Sequence, residues 1–208
     1  VGQGDVVWTT PITFVASANC ALYCGATVDF VDIDPRTYNL CPIALEQKLI
    51  QANTTGKLPK AVVVVHLCGQ PCDMAAIHKL SLTYGFKIIE DASHAIGGKY
   101  KGEPIGNCRY SDITVFSFHP VKIITTGEGG MALTRDARLA RRATEFAAAG
   151  SLSAEALKAV NPNLIYISAS GMGRTATMRD SSAAIKRASL ASAIQPTRSG
   201  SAQARKVS

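Results

Sequence analysis

The chain has 208 residues, of which 47% are hydrophobic and 18% charged. That size and balance suit one ordinary globular domain or slightly more, and exclude a mostly disordered chain or a collagen-like repeat. The net charge of +7 is uneven: residues 1–134 hold 10 basic and 11 acidic side chains, a net −1, whereas residues 135–208 hold 12 and 4, a net +8.

The first two thirds alternate strand and helix signals. Residues 5–10 (DVVWTT) read as a short strand. Residues 11–23 read as a helix opened by Pro11 and stopped by Gly25. Residues 27–33 (TVDFVDI) read as a buried strand with acidic punctuation, and residues 45–50 as a short helix. Residues 61–66 (AVVVVH) are β-branched on both faces, as in a parallel strand covered on two sides. Residues 73–84 show helical spacing and stop at Gly85, and residues 86–89 form the next strand, followed by Glu90 and Asp91. Residues 113–118 and 130–133 supply two more strands, and residues 135–150 an Arg- and Ala-rich helix. Strands separated by helices predict an α/β fold with a mostly parallel sheet flanked by helices. In such sheets the chemistry gathers beyond the strand ends.

Residues 151–208 differ in texture, with 11 Ser and 12 Ala. No hydrophobic period survives beyond Thr175, so residues 175–208 are expected to be disordered, with one short strand near residues 164–168. This basic tail has few aromatics for base stacking, so nucleic acid is not an expected partner. No apolar run reaches the ~18 residues of a membrane-spanning helix, and no secretory signal is visible, which points to a cytoplasmic protein. The start at Val1 suggests a piece of a longer chain. The six cysteines, at 20, 24, 41, 68, 72 and 108, then read as reduced, largely apolar side chains rather than a disulfide framework. His66, Cys68 and Cys72 lack the paired C-x-x-C spacing of a zinc site, so no metal is expected.

Three stretches carry polar groups at the ends of apolar strands: KIIEDASH (87–94), DITVFSFH (112–119), and Lys122 followed by TTGEGG (125–130). Asp91 at a buried strand end is a costly carboxylate without a cation. Lys122 stands among Val121, Ile123 and Ile124, where a lysine can become nucleophilic. Ser117, five residues earlier, is a plausible phosphate ligand. An amine, an anion and a hydroxyl so placed are what pyridoxal 5'-phosphate needs for its aldehyde, its ring nitrogen and its phosphate. Singly, each has a plain alternative, since strand-end Asp residues often sit in turns and most lysines are solvated.

Residues 5–134 resemble the DegT/DnrJ/EryC1/StrS sugar aminotransferases, within the fold-type I pyridoxal phosphate enzymes. The text that carries the resemblance is GDVVWTTPITFVASAN, GATVDFVDIDPRTYNL, HLCGQPCDM, KIIEDASHAIGGKYKGEPIG and SDITVFSFHPVKIITTGEGGMALT. The resemblance implies residues 1–150 as a partial cofactor-binding large domain and residues 151–208 as a tail outside the family. It implies Lys122 as the lysine that binds the cofactor and moves protons, and Asp91 as the partner of the pyridinium nitrogen. It also implies His94 beside the cofactor ring, Ser117 on the phosphate, and Phe14 stacked on the ring, for which a core position is the alternative. His119 is expected to be structural or to face substrate, His66 to be a core residue, and His78 a surface one. The implied reaction moves an amino group, with glutamate as donor, to the C4 ketone of a nucleotide-linked deoxysugar in a homodimer. The implied substrates are thus an amino acid and a nucleotide-sugar.

Two departures accompany the resemblance. The family's upstream Gly-Thr/Ser segment, whose helix N-terminus holds the cofactor phosphate, and its C-terminal small domain are both missing from this text. Residues 157–174 (LKAVNPNLIYISASGMGR) instead resemble a stretch of the CaiB/BaiF-type CoA-transferases, which suggests a chimeric tail. A sugar dehydratase of the same fold would replace the lysine with histidine, against Lys122. A non-catalytic binding protein with a basic nucleic-acid-binding tail is the reading from a different class.

Overall fold

The structure, a computed structural model, describes residues 1–148, with side chains through residue 143. The elements in order are β1 (Val6–Thr9), α1 (Ala16–Tyr23), β2 (Thr27–Phe30), α2 (Pro42–Thr54), β3 (Ala61–Val65), α3 (Met74–Tyr84) and β4 (Lys87–Asp91). A small hairpin follows, β5 (Lys99–Tyr100) with β6 (Glu103–Pro104), and then β7 (Ile113–Ser117), β8 (Gly130–Leu133) and α4 (Ala137–Ala148). The expected tail disorder and the strand near residues 164–168 lie outside the described residues.

Six strands form one sheet in the order β2-β1-β3-β4-β7-β8. Every pairing is parallel except β7 with β8, which is antiparallel at the edge. The central strand β3 is buried along its whole length, because helices cover both faces of the sheet there. Val62, Val64 and Ile88 face α2 and α3 in a core that includes Leu45, Leu49, Met74 and Ile77. Ala61, Val63, Val65 and Ile89 face the other way, against Cys20 and Ala21 of α1. Strand alternation thus sorts neighbouring residues onto opposite layers.

Local chemistry sets the helix ends. Pro42 opens α2 at its first turn, where a missing N–H costs nothing. Asp73 caps α3 by accepting the Ala76 N–H at 3.3 Å. Gly85 closes α3 in the left-handed region at φ 79°, which a residue with a Cβ rarely adopts.

Two expectations need correction, and one element was not foreseen. Residues 27–33 are not a buried strand: β2 stops at Phe30, and Thr27, Asp29 and Phe30 are exposed because β2 is the sheet's edge and pairs only with β1. The helix placed at residues 11–23 begins only at Ala16, and residues 11–13 form bends that put Phe14 outside the core. The β5–β6 hairpin, with two residues per strand, has no counterpart in the sequence reading. Burial pushes the Cys20 and Cys72 thiols up to about 12, so both remain protonated, unreactive side chains.

The helix-covered core makes a direct stability prediction. Leu49 is 0% exposed and Leu82 is 73% exposed. Leu49→Ala is expected to cost about 2–5 kcal/mol in urea unfolding, and Leu82→Ala to stay within about 0.5 kcal/mol.

Candidate functional site

Asp91 ends β4, and alternation turns its side chain toward α1 and the layer of Ile89. It is only 7% exposed. Its Oδ2 accepts the Ser17 hydroxyl at 2.8 Å, and its Oδ1 accepts the Ser93 N–H at 3.1 Å. Among the described residues no cationic side chain lies within ion-pair distance of it, so a buried carboxylate is held by neutral donors alone. Ser17 is in turn 3.1 Å from the hydroxyl of Thr13, one helical turn earlier.

The same carboxylate faces an open pocket that Phe14, His94 and Lys122 also line, together with Thr13 and Leu67. Four of the five residues singled out from the sequence therefore meet at one place. Phe14 is 48% exposed, which removes the core-residue alternative and leaves its ring at the pocket. Ser117 is the exception. It ends β7, two residues beyond Val115, the position paired with Asp91, and is 3% exposed. Its Oγ accepts the His119 N–H at 3.5 Å, and it is not among the residues that line the pocket.

Lys122 rides on a loop closed on itself. The Phe118 carbonyl accepts both the Thr125 hydroxyl at 2.9 Å and the Thr126 N–H at 3.1 Å. The Phe118 N–H reaches back to Gly129 at 2.9 Å. Within this ring the Lys122 N–H donates to the His119 carbonyl at 2.9 Å, and His119 Nδ1 accepts the Val121 N–H at 3.3 Å. His119 thus braces the loop from inside. Around the lysine, Val121, Ile123 and Ile124 are exposed, as is Ile12 beside Phe14.

His94 is oriented from the opposite side. Its Nδ1 accepts the N–H of Cys68 at 3.3 Å. Cys68 itself lies in the left-handed region at φ 53°, followed by Gly69 at φ 85°. A Cβ on Gly69 would stand 2.8 Å from the His94 carbonyl oxygen, so the turn passes only with glycine. Burial holds His94 below its ordinary value, and the nearby Lys122 ammonium pushes the same way, while Asp91 pulls it up. The balance favours the neutral ring.

Sequence reasoning missed Ser17, Cys68 and Gly69. A hydroxyl pair one turn apart at Thr13 and Ser17, in an otherwise apolar segment, was the one available signal for the first of these.

Comparison with known proteins points the same way. The sequence matches the DegT/DnrJ/EryC1/StrS aminotransferase family over residues 1–202, a span that runs through residues 157–174. It is 46% identical over 142 residues to GDP-perosamine synthase of Caulobacter vibrioides, covering 68% of this chain and 36% of that one. It is 44% identical over 136 residues to EpsN of Bacillus subtilis, named a putative pyridoxal phosphate-dependent aminotransferase, covering 65% and 34%. Among solved structures it resembles PseC of Helicobacter pylori, described as an aminotransferase involved in the biosynthesis of pseudoaminic acid. That likeness has a TM-score of 0.67 at 28% identity and covers 92% of this chain and 48% of that one. The chain spans about a third of the length of the curated relatives it matches.

The two causes of the lowered His94 value can be separated by titration. Followed by NMR, His94 is expected to titrate below 6.5. In Lys122→Gln the repulsion is gone but the burial stays, so the midpoint should rise and still remain below the ordinary value. An unchanged midpoint would mean that Lys122 does not face His94.

Proposed function

Because the chain belongs to the DegT/DnrJ/EryC1/StrS aminotransferase family, we propose that residues 1–150 form the cofactor-binding part of a nucleotide-sugar aminotransferase that uses pyridoxal 5'-phosphate. The observation that carries this reading is the buried Asp91 carboxylate, without a cation, in one pocket with Lys122. The donor set fits the cofactor. Asp91 would receive a protonated ring nitrogen as the charge partner that it otherwise lacks. Lys122 would supply the amine for the aldehyde carbon, His94 a ring at the pocket wall, and Phe14 an aromatic face. The phosphate role that the resemblance implies for Ser117 would use its hydroxyl as a donor, while the same oxygen accepts the His119 N–H.

When bound, the cofactor supplies an electron sink for the pair left on the amino-acid α-carbon. The chain's own groups do the rest. Asp91, its carboxylate fixed by Ser17 and Ser93, would hold a proton on the ring nitrogen. Lys122 would serve as the general base at the amino-acid α-carbon. The closed 118–129 loop keeps that amine at the pocket.

The substrates on this reading are glutamate and the C4 ketone of a nucleotide-linked deoxysugar. A finer reading takes the product as UDP-4-amino-4,6-dideoxy-N-acetyl-β-L-altrosamine, in pseudaminic acid biosynthesis. It rests on the TTPITFVASAN and FSFHPVKIITTGEGG text and on the likeness to PseC. The similarity to GDP-perosamine synthase favours a GDP-linked sugar instead, so assay of both nucleotide classes decides between them. The intact enzyme is a homodimer on this reading, supported by the apolar side chains exposed around Lys122 and Phe14. Among the described residues no helix is long and apolar enough to cross a membrane.

Lys122 gives the sharpest test. Borohydride reduction in the presence of pyridoxal phosphate should fix the cofactor on a peptide containing Lys122 and quench the visible absorbance. Lys122→Ala should abolish both, and label retained elsewhere would displace the lysine from its role. Asp91→Asn should keep the fold while weakening cofactor binding, and unaltered affinity would remove Asp91 from the site.

A further inference from the structure

On the far side of the sheet from the pocket, His66 and Glu90 form a buried pair that no catalytic role has used. His66 is completely buried and follows directly on β3. Its Nδ1 accepts the Cys72 N–H at 3.2 Å, so that nitrogen bears no proton. The Nε2–H therefore donates to Glu90 Oε1, at 2.8 Å. Glu90 Oε2 accepts the hydroxyls of Ser111 and Thr114 at 2.8 and 2.6 Å. Burial alone would push the Glu90 carboxyl up, but these donors outweigh it and hold the group below the ordinary carboxylate range.

What makes the pair more than core packing is where its two ends lead. Glu90 precedes Asp91 on β4, and the His66 backbone N–H donates to the Asp91 carbonyl at 3.0 Å. One end of the network thus fixes the strand terminus that aims the Asp91 carboxylate into the pocket. The other end fixes Cys72, which closes the turn of residues 67–71. That turn contributes Leu67 to the pocket wall and the Cys68 N–H that His94 Nδ1 accepts.

We propose that His66 is a positioning residue for the pocket, holding the Asp91 end of β4 through Glu90 and the His94-facing turn through Cys72. Its significance for catalysis rests on the reading of the pocket as a cofactor site, but the coupling itself is testable without cofactor. The two nitrogens of His66 can be mimicked one at a time. His66→Asn keeps an acceptor where Nδ1 lies and loses the donor to Glu90. His66→Gln keeps a donor that reaches Glu90 and loses the acceptor for Cys72.

The experiment is an NMR titration of His94 in the full chain without cofactor, for wild type and both variants. It is paired with thermal unfolding of each protein and with the pyridoxal phosphate dissociation constant. The Cys68 N–H stabilises the unprotonated Nδ1 of His94, while Lys122 and Asp91 supply the neighbouring charges. Releasing the turn in His66→Gln should weaken the acidity of protonated His94 about threefold to tenfold, the worth of one hydrogen bond. His66→Asn should leave the His94 midpoint near wild type even if it melts earlier. A merely structural His66 would lower the melting temperature in both variants and leave His94 alike in both, and that result overturns the proposal. If His66→Gln does not fold, Cys72→Pro, which removes the same N–H, decides by the same His94 midpoint. Ser111→Ala, which removes one donor from Glu90, decides if neither folds, with cofactor affinity reduced on the proposal and unchanged against it. If wild type binds no cofactor, the cofactor reading fails, while the His94 midpoints still judge the coupling.

Discussion

Two adjacent carboxylates, Glu90 and Asp91, are buried on opposite faces of one strand, and the rest of the site is arranged around that burden. Leaving a buried charge without its partner costs about 3–5 kcal/mol. The chain meets this differently on the two faces. Glu90 is surrounded by donors from two separate segments, His66 after β3 and Ser111 and Thr114 at the start of β7, and is complete within the protein. Asp91 has two neutral donors and a pocket in front of it. The enclosed carboxylate anchors the strand end, and the other, bonded on both oxygens, still faces the pocket.

Such a division needs a strand whose two faces are equally protected. Parallel β3 and β4 at the centre of the sheet provide it, with α2 and α3 on one side and α1 on the other. The pocket opens where the strands end and the loops begin, at residues 67, 91–94 and 122. Lys122 and the Asp91–His94 stretch therefore reach the pocket from two separately bonded pieces of chain.

Much of the scaffold was legible because its signals are local. The β-branched run at residues 61–65 and the glycine after residue 84 speak for themselves, and β8 falls at Gly130–Leu133 as read. The burial of β2 was misread because exposure depends on a strand's place in the sheet, and TVDFVDI carries no mark of an edge. Residues Asp91, His94, Lys122 and Phe14 were reached through their motif text, and the fold brings them together. Ser117 fits the motif but not the pocket lining, since a strand-end hydroxyl can lie against its own backbone as easily as toward a cavity. The His66–Glu90 pair was invisible, because 24 residues and a helix separate its members and only sheet register joins them.

The closed loop that carries Lys122 has a consequence for how this region can vary. Phe118 is bonded to residues 125, 126 and 129, so the lysine hangs from a ring whose circumference is set by the number of residues in it. One added residue lengthens an extended chain by roughly 3.5 Å, more than the reach separating a bonded amine from a missed one. Sequence change at the exposed tip, where Val121, Ile123 and Ile124 stand, leaves the ring intact, whereas a change of length does not. The ring itself is thus indifferent to the side chains at its tip and rigid in count: the amine's position is metered by the chain itself.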